Sequence, residues 1–152
     1  MSKITIEDLQ ARIGEELGVS DWIDVGQERI NQFAEVTEDR QFIHLDVEAA
    51  SKTSFGGTIA HGFLTLSLLS KLLGDIEFAP HNTLMAINYG ADKLRFLAPV
   101  PSGSRIRARM VLMEIVNKRP NHYMIRGGIT VEIEGSDKPA LSVESLSLFV
   151  LG

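Results

Sequence analysis

The stretch Ile59-Ala60-His61-Gly62-Phe63-Leu64-Thr65-Leu66-Ser67-Leu68-Leu69-Ser70-Lys71-Leu72-Leu73 decides how the chain is read. Its leucines occupy nearly every direction around a helix axis, and Gly74 follows as a stop. A helix that is apolar all round belongs inside a protein. With His61, Thr65, Ser67, Ser70 and Lys71 in it, the run is too polar and too short to span a bilayer. Something else in the chain must cover it. Beyond Pro80 the pattern becomes that of strands, over 84–96, 104–116, 122–134 and 140–150, each pair parted by turn residues. Long strands joined by short turns predict an antiparallel meander. One buried helix and one twisted antiparallel sheet predict an α+β fold in which the sheet curls round the helix.

Composition sets the outer bounds. The chain has 152 residues, 44% of them hydrophobic and 23% charged, which suits one globular domain. It has no cysteine, which excludes a disulfide scaffold, a thiol nucleophile and a thiolate zinc site. A net charge of -5 argues against nucleic acid as the main partner. Residues 1–14 carry Glu7, Asp8 and Arg12 without an apolar segment, so they do not read as a signal peptide. The expectation is a cytoplasmic protein with neither nucleic acid nor membrane as a partner.

The first half reads as helices and loops. Thr5 is placed to cap a helix carrying Leu9, Ile13 and Leu17 at helical spacing, with Gly18 as its stop. Residues 21–25 suit a short strand. Residues 27–37 predict a helix with Ile30, Phe33 and Ala34 on one face. The segment 38–44 keeps no period and reads as a loop or irregular turn. Asp46 can cap a brief helix through Ala50.

Two features bear on chemistry. Asp39 and His44 share the irregular segment, where a carboxylate and an imidazole can converge on one water. Such a pair is common by chance and, alone, reads equally as a solvated loop. His61-Gly62 stands at the entry of the buried helix, where unpaired backbone N–H groups face a positive potential. A glycine there admits a thioester carbonyl oxygen; it also suits tight packing of helix on sheet, and His61 also reads as an interior histidine.

Taken together, Asp39-Arg40-Gln41-Phe42-Ile43-His44, then Phe55-Gly56-Gly57-Thr58-Ile59-Ala60-His61-Gly62-Phe63 and the apolar helix, resemble the MaoC-like family. Arg95-Phe96-Leu97-Ala98-Pro99-Val100, closed by Gly103, is similar to the family's strand and turn after the helix. The resemblance runs from about Gln27 to the C-terminus, and the N-terminal segment looks like the extension of the nodulation-protein-N-like branch. It implies a single hot-dog domain over 1–152, with a helical extension over about 1–20. It also implies an (R)-specific enoyl-CoA hydratase, a hydro-lyase of fatty acid metabolism. Asp39 and His44 match the catalytic pair, and Gly62 matches the backbone donor to the thioester oxygen. Ser70 falls near a serine of the family's helix that supports the site, and reads equally as a small residue at a helix–sheet contact. Where the family shows Gly-Asp-x-Asn-Pro, this chain has Glu38, Asp39, Arg40, Gln41 and Phe42. Gln41 keeps an amide one methylene longer, and Phe42 gives up the fixed φ of proline.

The implied reaction calls for no metal, nucleotide or redox cofactor, acyl-CoA or an acyl-carrier thioester being the substrate. A homodimer is expected, from the family and from the edge strand that a lone layer exposes. Two other readings stay open: a hot-dog acyl-CoA thioesterase, against which the carboxylate-free run 59–73 counts, and a noncatalytic acyl-thioester binding module. Arg105, Arg107 and Arg109 share one strand face, as do Lys93 and Arg95, and either set suits coenzyme A phosphates or a solvated sheet face.

Overall fold

The computed structural model describes residues 4–152. Its elements run α1 (Ile6–Gln10), β1 (Glu16–Val19), β2 (Ile23–Val25), α2 (Gln27–Thr37), α3 (Phe42–Leu45), α4 (Val47–Ser51), α5 (Gly62–Ser67), α6 (Leu69–Gly74), β3 (Thr83–Phe96), β4 (Ser104–Arg119), β5 (His122–Ile133) and β6 (Leu141–Leu151). On β4 the side chains alternate: Ile106, Ala108, Met110 and Leu112 are buried, while Arg105 is exposed and Arg107 and Arg109 are partly exposed. β5 repeats the pattern with Ile129, Val131 and Ile133 inside. The inner face packs on Leu64, Leu69 and Leu72 of the two central helices to form one core. An antiparallel sheet folded on this helical segment is the hot-dog arrangement.

The sheet is antiparallel and six-stranded, ordered β1-β4-β5-β6-β3, with β2 also paired to β4. The meander expected over all four long strands therefore holds only for β4, β5 and β6. β3 crosses to the far edge and pairs with β6, from Thr83 opposite Leu151 to Phe96 opposite Leu141. The reason is the closing of the sheet round its helix: β4 already takes β1 and β2 on its free side.

The N-terminal helix predicted through Leu17 stops at Gln10. Thr5 does cap it, exchanging hydrogen bonds with Asp8 in a capping box. Gly14 then turns the chain at φ 93°, and its N–H donates to the Leu112 carbonyl at 2.7 Å. From there Glu16–Val19 joins the sheet as β1, with Leu17 buried in the core. The helical spacing of Leu9, Ile13 and Leu17 is thus a coincidence of two elements, and Ile13 is exposed. The extension is part of the sheet, not an appendage.

The central helix begins later than expected. Ile59 and Ala60 stay outside the helix because tertiary partners hold the Ile59 backbone: its carbonyl, which a helix would need as an acceptor, is taken by His44 Nδ1, and it bridges Pro101, while the Ile59 and Ala60 N–H groups donate to the Ile43 and Val100 carbonyls. The helix runs from Gly62 and is interrupted at Leu68, giving α5 and α6. Nor is it buried all round: Leu64, Leu69 and Leu72 are inside, while Phe63, Ser67, Ser70 and Lys71 are exposed. Among the described residues no helix is long and apolar enough to cross a membrane.

Leu72 is fully buried where helix meets sheet. Leu72→Ala is expected to lower unfolding free energy by about 2–5 kcal/mol, read from urea denaturation. A loss within the error of a surface substitution would contradict this placement.

Candidate active site

The site grows from the end of α2. Glu38, in the left-handed region at φ 61°, ends that helix and reverses the chain. Asp39 follows, half-buried, and its Oδ1 accepts a long bond from the Gln41 N–H at 3.4 Å. The next residues turn into α3, a single helical turn within the segment expected as a loop or irregular turn, and this turn carries His44 inward. His44 Nδ1 lies 2.7 Å from the Ile59 carbonyl oxygen. A carbonyl only accepts, so Nδ1 carries a proton, and in the neutral ring Nε2 keeps the lone pair.

His61 comes from the other direction, as the residue before α5, and is 3% exposed. Its ring stacks on that of His44, with centroids 3.8 Å apart and planes 23° apart. Its Nε2 lies 3.0 Å from the Asp39 main-chain carbonyl oxygen, and its far face meets Phe33 of α2. One carboxylate oxygen of Asp39 and one ring nitrogen of each histidine lie within 4.8 Å of one another. A water about 2.8 Å from each of two acceptors bridges such a gap. These three side chains carry metal-ligand types. However, near-parallel stacked rings send their in-plane lone pairs along near-parallel directions, so joint ligation of one ion would need the stack to open.

His44 and Gly62 line the same cavity of about 270 Å³, with Ile59, Ala60, Thr65 and the segment 96–100 as largely apolar walls. As the first helical residue, Gly62 has no intrahelical acceptor for its N–H. Its lack of a Cβ has a steric reason too: a Cβ there would sit 3.0 Å from the Phe96 ring. The structure therefore brings Asp39 beside His44, and His44 onto one cavity with Gly62; Asp39 is not among the residues lining that cavity. It does not bring Ser70 to them. Ser70 is exposed and lines a second groove of about 370 Å³ with Ser67, Asn88, Ser145 and Ser147. The helix hydroxyl on the His44 cavity is that of Thr65, which is buried.

Sequence reasoning missed Thr65 and Gln27. The Gln27 amide donates to the His44 main-chain carbonyl at 2.7 Å and to Asn31 Oδ1 at 2.9 Å, and accepts from the Thr58 hydroxyl at 2.6 Å. It thus ties α2, α3 and the segment leading to α5 into one frame, and a glutamine on a helix gives no sequence signal of such a role.

Most of the strand cations are paired with acids on or beside other strands. Arg107 and Arg109 both bond to Glu132, Arg109 also to Glu16, and Arg105 to Glu134. The bond from Arg107 holds the Glu132 carboxyl below its ordinary range, and that from Arg105 does the same for Glu134. Arg107 also lies over the Trp22 ring at 4.4 Å. Lys93 pairs with Glu144, and Arg95 is exposed, bonding to the Leu94 carbonyl. The three arginines make a laced outer face, turned away from the core side of the sheet.

The chain matches the family described as MaoC like domain over residues 8–133. It is 44% identical over 149 residues to nodulation protein N of Rhizobium leguminosarum bv. viciae, covering 97% of this chain and 92% of that protein. It is also 44% identical over 146 residues to 3-hydroxyacyl-thioester dehydratase Z of Mycobacterium tuberculosis, covering 96% of each. Among solved structures, an (R)-hydratase from A. caviae involved in PHA biosynthesis superposes with a TM-score of 0.69 at 26% identity, covering 92% of this chain and 96% of that one.

Gln27→Ala strands the Thr58 hydroxyl and the His44 carbonyl together. It is expected to cost about 1–3 kcal/mol of stability, measured by chemical denaturation.

Proposed function

The chain belongs to the MaoC-like dehydratase family, and from that premise we propose that it is a hydro-lyase acting on acyl thioesters through Asp39 and His44. The reaction is the reversible addition of water to a trans-2-enoyl-CoA, or the equivalent carrier thioester, giving the (R)-3-hydroxyacyl thioester. The observation that carries this reading is the His44–Ile59 bond, which leaves Nε2 of the neutral ring free to accept a proton, on a side chain with one nitrogen within 4.8 Å of an Asp39 carboxylate oxygen.

Each group has one task. A water held between Asp39 and His44 loses a proton to one of them as its oxygen bonds to the β-carbon. The π electrons move toward the thioester, whose oxygen gains negative charge. The Gly62 N–H supports that oxygen, and because the charge is greatest in the transition state the bond lowers the barrier. A proton returns from the pair to the α-carbon, so the net change is one water added. Acid and base on one side of the alkene favour syn addition. No step of this sequence calls for a metal or redox cofactor. The apolar cavity walls suit an acyl chain better than the phosphates of a carrier.

The relatives support a thioester substrate. Nodulation protein N and dehydratase Z are equally similar to this chain, and only the second is named for its reaction. The thioesterase alternative lacks support from the central helices, since α5 and α6 contain no carboxylate.

A homodimer completes the proposal. β3 is a 14-residue edge strand, and Leu84 (68% exposed), Met85, Ile87 and Tyr89 (61%) all lie open along it. Such an edge invites pairing with a second copy.

Hydration is read as loss of enoyl-thioester absorbance with crotonyl-CoA and a longer enoyl-CoA. Asp39→Asn and His44→Ala are each expected to lower kcat by about 10²-fold or more with the fold intact. Free coenzyme A released in place of hydration would sink the hydratase and favour the thioesterase. Light scattering at micromolar protein is expected to give twice the chain mass, and Ile87→Lys to shift it toward the monomer; a wild-type monomer would refute the dimer.

A further inference from the structure

Of the groups around the acid–base pair, His61 has no part in the proton transfers above, yet it touches both members. It is almost fully buried at 3% exposure, and one of its ring nitrogens, Nδ1, is sealed from solvent without a hydrogen-bond partner. A buried polar atom left unpaired carries a free-energy cost, so the ring is held there by what else it does.

Its tautomer follows from its contacts. Nε2 faces the Asp39 carbonyl oxygen at 3.0 Å and must donate to it. Nδ1 then bears either a lone pair or, in the cation, a second proton. A buried N–H of a cation without an acceptor is the costlier case, since charge as well as polarity would be unpaired. The ring is therefore neutral and Nε2-protonated. His44, stacked on it, is the opposite tautomer, with its proton on Nδ1. Neither ring competes with the other for a proton or for an acceptor.

We propose that His61 is a positioning residue for the pair. By one hydrogen bond it fixes the Asp39 main chain, and by its face it supports the His44 ring. The Asp39 carboxylate hangs from a segment whose own restraint is the long bond from Gln41. Arg40 turns outward to Glu35 and gives the segment no inward tie. The His61 bond thus couples the register of Asp39 to the start of the central helix, where Gly62 is placed. Because proton transfer depends steeply on donor–acceptor geometry, a loosened Asp39 costs turnover more than binding.

The inference rests on the hydratase reading, and its test separates the two. His61→Phe keeps an aromatic face on His44 and loses the donor. His61→Gln loses the stack and keeps an N–H near the Nε2 position. With crotonyl-CoA, His61→Phe is expected to lower kcat about tenfold or more while KM stays within about threefold, and His61→Gln to recover most of kcat. A His61→Phe enzyme with kcat near that of wild type, or a His61→Gln enzyme no better than His61→Phe, overturns the role of the bond. Long-range ¹⁵N–¹H spectra of the wild-type rings need no variant to fold. They are expected to show a neutral Nε2–H tautomer at His61 and Nδ1–H at His44. An Nδ1–H or doubly protonated His61 overturns the proposal, whatever the variants do. Wild-type protein that hydrates no enoyl thioester would defeat the reading of the reaction, and the spectra would still decide the ring arrangement.

Discussion

The contact on which the site depends is the reciprocal grip between α3 and Ile59. The Ile59 N–H donates to the Ile43 carbonyl, and the Ile59 carbonyl accepts from His44 Nδ1 at 2.7 Å. A single extended residue thereby holds the backbone of a one-turn helix and the side chain it carries. A helix of four residues has little stability of its own, so its geometry is borrowed from this pairing. Ala60 passes the tie on to Val100, and Gln27 adds the bond to the His44 carbonyl. His44 is thus fixed from three directions, by the segment before the central helix, by α2 and by the stacked ring of His61. This is the rigidity that proton transfer needs, since small displacements at the reacting groups are costly in rate.

The sheet divides its two faces by chemistry. Inward residues of β4, β5 and β6 supply the core on which α5 and α6 lie. Outward residues form ion pairs between strands, with Arg126 meeting Glu114 and Glu144 on the adjacent strands and Asp92 beyond β6, and Glu132 meeting two arginines. Partly exposed pairs of this kind contribute little each to stability. Their larger effect is to keep a broad sheet face charged and solvated. β3 carries a run of exposed apolar residues, Leu84, Met85, Ile87, Tyr89 and Phe96, the last meeting the exposed Phe63 ring edge to face. That asymmetry is what sets β3 apart from the laced face of β4 and β5.

Much of the fold was legible because its signals are local. The four long strands begin and end within a few residues of their expected bounds, since turn residues part them. The helix 27–37 and the cap at Asp46, whose carboxylate accepts from the Ala49 N–H at 2.9 Å, follow from short-range patterns. The failures share one cause. Leu17 has helical spacing from Leu9 and Ile13, but it lies in β1, whose neighbouring residues Glu16 and Gly18 pair with Val111 and Met110 of β4. Ile59 and Ala60 carry the pattern of a helix's first turn, but the Ile59 carbonyl that such a turn needs as an acceptor is taken by His44 Nδ1. Counting along the helix puts Ser70 close to the site, whereas it opens on the other groove and Thr65 lines the His44 cavity.

By itself the sequence determined the elements with strong internal periodicity, the α+β class, and the presence of Asp39, His44 and Gly62 in motifs that name a family. Those follow from residue types at short spacing, which act whatever the rest of the chain does. Only the tertiary structure decided that β3 lies at the free edge beside β6, that the N-terminal segment enters the sheet, and that His61 stands against both Asp39 and His44. Each of these depends on which distant backbone or ring satisfies a given donor, and closing a sheet round a helix makes that choice for the whole chain at once.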